Sequence, residues 1–154
     1  NLPEEVRVVL DESALPPDQL ALEVTETVYM ENIDQVRATL EAIDRLGVSS
    51  ALDDFGTGYS SLSYVHTLSF DVLKIDKSFV KNLPDHSALA LVRAMLGIAA
   101  SLDITPLAEG IETQEHHRLL KSLGCKLGQG YLFSPPVPAE RLVDLLRKER
   151  MEDG

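Results

Sequence analysis

The stretch VSSALDDFGTGYSS, residues 48–61, contains the pattern on which the fold assignment rests. A short apolar run, typical of a buried strand, ends in two adjacent carboxylates, Asp53 and Asp54, and a glycine-bearing loop follows. Neighbouring strand residues point to opposite faces and like charges repel, so this pair needs a cation or a structural role to explain it. For Asp54, capping of the following turn is nearly as good an explanation as binding a metal ion.

Strand-like and helix-like segments alternate along the whole chain. The apolar runs predict strands at 20–26, 48–54, 71–76 and 104–109, and a weaker strand at 125–130. Apolar spacing and capping residues predict helices at 3–12, 32–47, 87–101, 113–123 and 139–149, and a short helix through Leu62 and Val65. The helix at 87–101 is apolar nearly all round. Five successive strand–helix units predict a parallel sheet, either doubly wound or closed into a barrel.

Composition and charge exclude several classes of function. The chain has 154 residues, 44% of them hydrophobic, which suits one soluble domain with a substantial core. With 25 acidic and 14 basic residues its net charge is −11, which argues against a protein that binds duplex DNA. The sequence contains no apolar run long enough to insert into a membrane, and the single Cys125 indicates a reducing compartment.

Polar or ionisable residues stand at the end of every predicted strand. In a parallel barrel these ends converge on one mouth, where active sites lie. Carboxylates gathered there are hard oxygen ligands, suited to magnesium, manganese or calcium rather than zinc. A cation bound in this way would let an acidic protein hold a phosphate ligand. The residues concerned are Glu23, Asp53 and Asp54, Lys74 and Asp76, Glu109, and Gln129.

Simpler roles also fit some of these residues. Glu23 and Glu26 could simply be charges at a helix entrance, and the glycines of "GTGYS" match neither the dinucleotide-binding fingerprint nor the P-loop. Lys74 is harder to dismiss, because its apolar neighbours predict a buried strand. A buried lysine needs a partner anion or a shifted pKa.

Five segments, in order along the chain, resemble the successive motifs of the EAL-domain family, the bacterial cyclic di-GMP phosphodiesterases. The segments are LEVTE (22–26), LDDFGTGYSSL (52–62), LKIDKSFV (73–80), AEGIET (108–113) and GQGYLF (128–133). The resemblance implies an α/β fold of the (β/α)8 TIM-barrel type. It also implies hydrolysis of one phosphodiester of cyclic di-GMP to give linear pGpG, at a two-metal site that uses Mg²⁺ or Mn²⁺.

The resemblance also implies a role for each matching residue. Glu23 and Asp53 correspond to metal ligands, with Asp53 bridging two cations and Asp54 serving the second. Lys74 corresponds to a lysine that contacts the attacking water, and Glu109 to an essential glutamate that acts as general base or metal ligand. The remaining matches are the supporting or substrate-binding residues Gln129, Glu112 and Asp76, and Glu26, which anchors the "DFGTGYSS" loop.

The chain departs from the family pattern in what it lacks. The Glu-Ala-Leu tripeptide that names the family does not occur, and Glu41-Ala42-Ile43 lies inside a predicted amphipathic helix. A complete barrel takes roughly 250 residues. We therefore expect residues 1–154 to be the C-terminal part of a single EAL domain, an incomplete barrel of about five βα units. Exposed sheet edges would then favour a homodimer or higher self-association.

The resemblance places the protein in the bacterial cytoplasm, with a parent protein that upstream domains can tether to a membrane. Two alternatives to the phosphodiesterase stay open at this level. One is a catalytically inactive receptor that binds cyclic di-GMP without cleaving it. The other makes Lys74 a Schiff-base lysine in an aldolase-like barrel. The isolated chain is expected to have little or no activity of its own.

Overall fold

The computed structural model describes residues 1–25, 32–56, 65–143 and 145. In these ranges the helices are α1 (Leu2–Ser13), α2 (Ile33–Asp44), α3 (Lys77–Lys81), α4 (His86–Ser101) and α5 (Gln114–Ser122). The strands are β1 (Ala21–Thr25), β2 (Ser49–Phe55), β3 (Val72–Ile75), β4 (Thr105–Ala108) and β5 (Leu127–Gly128). A 3-10 helix, Pro17–Gln19, precedes β1, and residues 139–143 are helical.

The five strands form one parallel sheet in the order β1-β2-β3-β4-β5. Each strand therefore pairs with the next one along the chain, which is the order expected of consecutive units of a barrel wall. The prediction of a parallel α/β sheet with five strands is confirmed. A doubly wound sheet would reverse direction at a switch point, and this order shows no reversal among the described strands.

Side-chain caps mark the beginnings of α2, α3, α4 and α5. Asn32 accepts a hydrogen bond from the backbone N–H of Gln35, and Thr113 accepts one from His116. Asp85 caps α4 by accepting from Ser87 and Ala88. The short helix α3 was not predicted, because Lys77–Lys81 is too brief to show a period; Asp76 caps it by accepting from the N–H of Ser78.

Helix α4, apolar nearly all round in sequence, buries one face against the sheet and leaves Leu91 49% exposed. The buried face contains Ala88, Val92, Met95, Leu96 and Ala99. Spacing by three and four residues explains this stripe.

The principal core lies between the central strands and the helices that cover them. Leu52, Leu73 and Ile75 have no exposed surface, and Val92 of α4 packs in the same cluster. A second, smaller cluster joins α1, α2 and the start of β2 through Val6, Leu10, Ile43 and Val48. The outer strands β1 and β5 are far less covered.

Three predicted features lie partly or wholly outside the described residues. These are the short helix through Leu62, most of the glycine-bearing loop after Gly56, and the C-terminal helix beyond residue 143 apart from residue 145. Glu26 lies outside them as well. Among the described helices, none combines the length and apolar character that crossing a membrane requires.

Candidate active site

Lys74, on β3, is the centre of a cluster of charged side chains drawn from β1, β2 and the residue that follows β4. Its Nζ lies 2.7 Å from Oε2 of Glu23, 2.9 Å from Oδ1 of Asp53 and 2.9 Å from Oε1 of Glu109. The lysine is only 5% exposed. One ammonium therefore meets three carboxylates, so the predicted need of Lys74 for a partner anion is confirmed.

The lysine is held as an ammonium. Burial works to lower its pKa, but the hydrogen bonds to Glu23, Glu109 and Asp53 outweigh burial and raise the pKa of Lys74 well above its usual range. A Schiff-base lysine must present a free amine as nucleophile. The three ion pairs of Lys74 therefore disfavour the aldolase-like alternative.

A β-bulge separates the two adjacent aspartates. Leu52 pairs with Leu73 and Phe55 with Ile75, so that Asp53 and Asp54 together stand opposite the single residue Lys74. Asp54 has a φ of 57°, a left-handed conformation that aspartate tolerates better than most residues. A bulge breaks the strict alternation of a strand and redirects its side chains. Asp53 turns to Lys74, while Asp54 is exposed beside it.

Glu109 follows β4 and is fixed from two sides. Its backbone N–H donates to the carbonyl of Ile75 at 3.0 Å. Its Oε1 accepts both from Lys74 and from Nε2 of Gln129, the latter at 3.2 Å. Gln129 in turn is tied to the 108–113 motif, because its carbonyl accepts from the N–H of Ile111. Two of the predicted site segments are thus cross-linked through their backbones and side chains.

An open cleft of about 640 Å³ adjoins the cluster. Glu109, Glu112 and Gln129 line it, and so do Lys77 and Tyr131, which sequence analysis did not select. Tyr131 is 66% exposed. Its place within the "GQGYLF" segment was the only signal that could have pointed to it. The cleft is large enough for a small ligand next to the charged cluster.

Asp76 does not join the cluster in this structure; it caps α3. Burial works to raise its pKa, but the hydrogen bonds from Ser78 and the backbone N–H of Lys77 prevail and lower the pKa of Asp76. Of the predicted site residues, the structure brings together Glu23, Asp53, Lys74, Glu109 and Gln129, with Asp54 beside Asp53 and Glu112 in the adjoining cleft.

The donor set suits a hard divalent cation. Glu23, Asp53 and Glu109 offer oxygen ligands only, which is the chemistry that Mg²⁺ and Mn²⁺ favour. Within the described ranges, no three His, Cys, Asp or Glu side chains stand ready to hold a metal ion. The ammonium of Lys74 occupies the point on which the three carboxylates converge. The carboxylate oxygens are thus of the chemical type that binds such a cation, and in this structure they surround the ammonium of Lys74.

Comparison with known proteins identifies relatives over almost the whole chain. The EAL domain family profile matches residues 1–136. The cyclic di-GMP phosphodiesterase NbdA of Pseudomonas aeruginosa is 42% identical over 153 residues, covering 99% of this chain and 20% of NbdA. The chain thus spans about a fifth of the length of that relative.

Two solved structures carry the same arrangement of elements. The phosphodiesterase PaMucR, in complex with c-di-GMP, superposes with a TM-score of 0.85 at 41% identity, over 90% of this chain and 57% of that one. Klebsiella pneumoniae BlrP1, in complex with manganese and cyclic di-GMP, gives a TM-score of 0.78 at 38% identity, over 87% of this chain and 35% of that one. Their likeness confirms the barrel-type fold and its incompleteness here.

Proposed function

The chain belongs to the EAL-domain family, and on that premise we propose that it forms the ligand-rich C-terminal portion of a cyclic di-GMP phosphodiesterase. The reaction is metal-dependent hydrolysis of one phosphodiester of cyclic di-GMP to give linear pGpG. One observation carries the proposal: carboxylates on β1, on β2 and directly after β4 meet within 2.9 Å of one buried ammonium at the carboxyl edge of the sheet. Catalytic groups collect at this edge in barrel enzymes.

The relatives support the substrate and the metal. NbdA is a cyclic di-GMP phosphodiesterase, and PaMucR and BlrP1 were solved with the dinucleotide. Manganese in the BlrP1 complex agrees with the all-oxygen donor set of this chain. We propose that Glu23, Asp53 and Asp54 hold two Mg²⁺ or Mn²⁺ ions, with Asp53 shared between them. Bound cations would lower the pKa of a coordinated water and offset charge on the phosphate.

The chain's own residues would position and deprotonate that water. The ammonium of Lys74 and the carboxylate of Glu109 lie 2.9 Å apart, so Lys74 can orient the water by donating a hydrogen bond and Glu109 can accept its proton. Gln129 holds Glu109 by a hydrogen bond to Oε1, which restricts the rotamer of the glutamate. Glu112 lies in the adjoining cleft, where a nucleotide would reach it. Asp76 would support the site by starting α3 directly after β3.

The test uses a full-length EAL domain that contains these 154 residues, incubated with cyclic di-GMP and Mn²⁺ or Mg²⁺. Chromatography separates the intact dinucleotide from linear pGpG. Glu109→Gln is expected to lower the turnover number about 10²-fold or more, because it removes a carboxylate from the proton-transfer site. Glu115→Gln, on the exposed first turn of α5, is the matched control and should be unaffected.

A full domain that binds the dinucleotide and leaves it intact would contradict the proposal and favour a receptor. Equal turnover in Glu109→Gln and Glu115→Gln would contradict the role of Glu109. Chelation with EDTA should abolish pGpG formation, and addition of Mn²⁺ should restore it.

We further propose that the domain acts in the bacterial cytoplasm, where its nucleotide substrate would be found, and that it self-associates. The exposed edge strand β1 and the exposed apolar residues Leu2 and Val9 of α1 support self-association. Sedimentation velocity of the 154-residue chain checks this: a dimer or larger species is expected, and a stable monomer at all concentrations would contradict it.

A further inference from the structure

The charges around Lys74 do not balance before a metal ion binds. Three carboxylates, Glu23, Asp53 and Glu109, carry three negative charges against one ammonium. In the described part of the chain, these carboxylates form ion pairs with Lys74 alone. The cluster therefore depends on a single cation that the sequence itself supplies.

Burial makes this dependence strong. The side chains of Lys74, Glu109 and Asp53 are 6%, 16% and 20% exposed, while that of Glu23 is 52% exposed. Charges of one sign repel strongly where water is partly excluded. A buried ion pair that loses one partner leaves an uncompensated charge, which costs far more than a surface pair. Without Lys74, Asp53 and Glu109 would repel each other on neighbouring sides of β3.

We propose that Lys74 is a built-in counter-ion, which takes the place of a divalent cation and keeps the carboxylate ligands assembled in the metal-free protein. The ammonium contacts one oxygen of each carboxylate, so the proposed metal ligands Glu23 and Asp53 and the neighbouring Glu109 are gathered before a metal ion arrives. The same ammonium repels an incoming cation, so Lys74 weakens metal binding as it preorganises the site. This role belongs to the metal-free fold and does not depend on the proposed hydrolysis.

The first experiment measures thermal unfolding of the chelator-treated chain. Lys74→Met keeps the length and apolar stem of the side chain but removes its charge. We expect the Tm of the metal-free variant to fall by about 10 °C. Lys121→Met, on the exposed last turn of α5, removes the same charge elsewhere and should leave the Tm nearly unchanged.

A double variant separates the charge effect from packing. In the wild-type background, Asp53→Asn removes a partner of Lys74 and should lower the Tm. In the Lys74→Met background, the same substitution removes a repelling charge and should raise the Tm. This reversal of sign is specific to a counter-ion, because a lysine that merely fills space would give losses in both backgrounds.

Titration with Mn²⁺ tests the second half of the proposal. Isothermal calorimetry should show Mn²⁺ binding to Lys74→Met about tenfold more tightly than to the wild-type chain, because the repelling ammonium is gone. Mn²⁺ should also restore most of the lost Tm. If metal-free Lys74→Met does not fold, addition of Mn²⁺ is expected to restore the folded state, as judged by circular dichroism.

Three results would overturn the proposal. They are a metal-free Lys74→Met with the wild-type Tm, a further loss of Tm on adding Asp53→Asn to it, and Mn²⁺ binding that is unchanged or weaker. None of these measurements involves cyclic di-GMP, so failure here is distinct from failure of the proposed phosphodiesterase activity.

Discussion

The middle and the edges of the sheet differ sharply in how they are held. In the central strand β3, Leu73 and Ile75 have no exposed surface and even Lys74 is 5% exposed. In the edge strand β5, both residues are exposed, and Leu127 retains 45% of its surface. β1, at the opposite edge, has no buried residue. Most of the packing free energy therefore comes from the centre of the sheet.

The charged cluster extends from this centre to one of the edges. Asp53 and Glu109 flank β3 and are largely covered, whereas the side chain of Glu23, on β1, is 52% exposed. The rigid centre fixes the lysine and two of its carboxylates. The third carboxylate, Glu23, lies on β1 at the edge of the described five-stranded sheet.

The largest expected effect comes from a cavity at the centre. Leu73→Ala should lower the free energy of unfolding by about 2–5 kcal/mol, because this fully buried side chain leaves a void that the sheet cannot close. Leu22→Ala, at a half-buried position of β1, should lower the free energy of unfolding by less than half as much. Urea denaturation followed by circular dichroism measures both. Equal losses would show that the edge contributes as much as the centre.

The β5 edge is held by close backbone approach, which a matched pair of glycine substitutions can test. A Cβ at Gly130 would lie 2.2 Å from the carbonyl oxygen of Ile111, a backbone atom that cannot move freely. A Cβ at Gly128 would clash with the terminal Cδ1 of the Ile111 side chain, at 2.6 Å, and would meet the backbone oxygen of Ala108 at an ordinary contact distance of 3.8 Å.

Gly130→Ala should therefore lower the free energy of unfolding by roughly 1–3 kcal/mol. It should also displace Gln129 from Glu109, since the same backbone carries the glutamine. Gly128→Ala should cost less, because the isoleucine can change rotamer. Chemical denaturation ranks the two variants, and a larger loss for Gly128→Ala would contradict the close-approach argument.

A smaller effect is expected where the 108–113 motif passes into α5. Thr113→Ala removes the hydroxyl that accepts from the N–H of His116, and should lower the free energy of unfolding by about 1 kcal/mol. Thr113→Ser keeps the hydroxyl and should retain most of the stability. If thermal denaturation shows the same loss of stability for Thr113→Ser as for Thr113→Ala, the methyl group of Thr113, and not its capping hydroxyl, stabilises the fold.

The smallest effect concerns reactivity at the edge rather than stability. Burial raises the pKa of the Cys125 thiol, with hydrogen bonds to backbone groups only partly opposing it. The thiolate is the reactive form, so alkylation by iodoacetamide should begin at a higher pH than for an exposed cysteine. The pH profile of the labelling rate in the folded chain, against the same chain in urea, checks this. Coincident profiles would mean that the edge leaves Cys125 open to solvent.

Local sequence patterns predicted the elements well wherever local chemistry decides them. Apolar runs located the five described strands, and the helix starts predicted at Asn32 and Thr113 lie within one residue of the observed starts of α2 and α5. Helix α3 escaped detection, because five residues show no period. Composition showed that α4 is apolar nearly all round, and only the packing shows which of its faces is buried.

The sequence predicted which residues would lie near one another, but not which of them would be in contact. The order of motifs selected Glu23, Asp53, Lys74, Glu109 and Gln129, and these residues do come together. Asp76 was selected as well, and the structure uses it to cap α3. The roles given to all of the site residues stay predictions, and Glu26 lies outside the described residues.

The sequence by itself determined the parallel α/β architecture, the family, and the residues that meet at the carboxyl edge, because each follows from local periodicity and motif order. Only the tertiary structure decided that Lys74 lies at the centre of three carboxylates and that a bulge turns Asp53 toward it while Asp54 stands aside. Those facts depend on strand register and on contacts between residues far apart in the chain. Lys74 and Asp53 are separated by 21 positions, and Glu23 and Glu109 by 86. No local pattern encodes such distances; the packing of the central strands sets them.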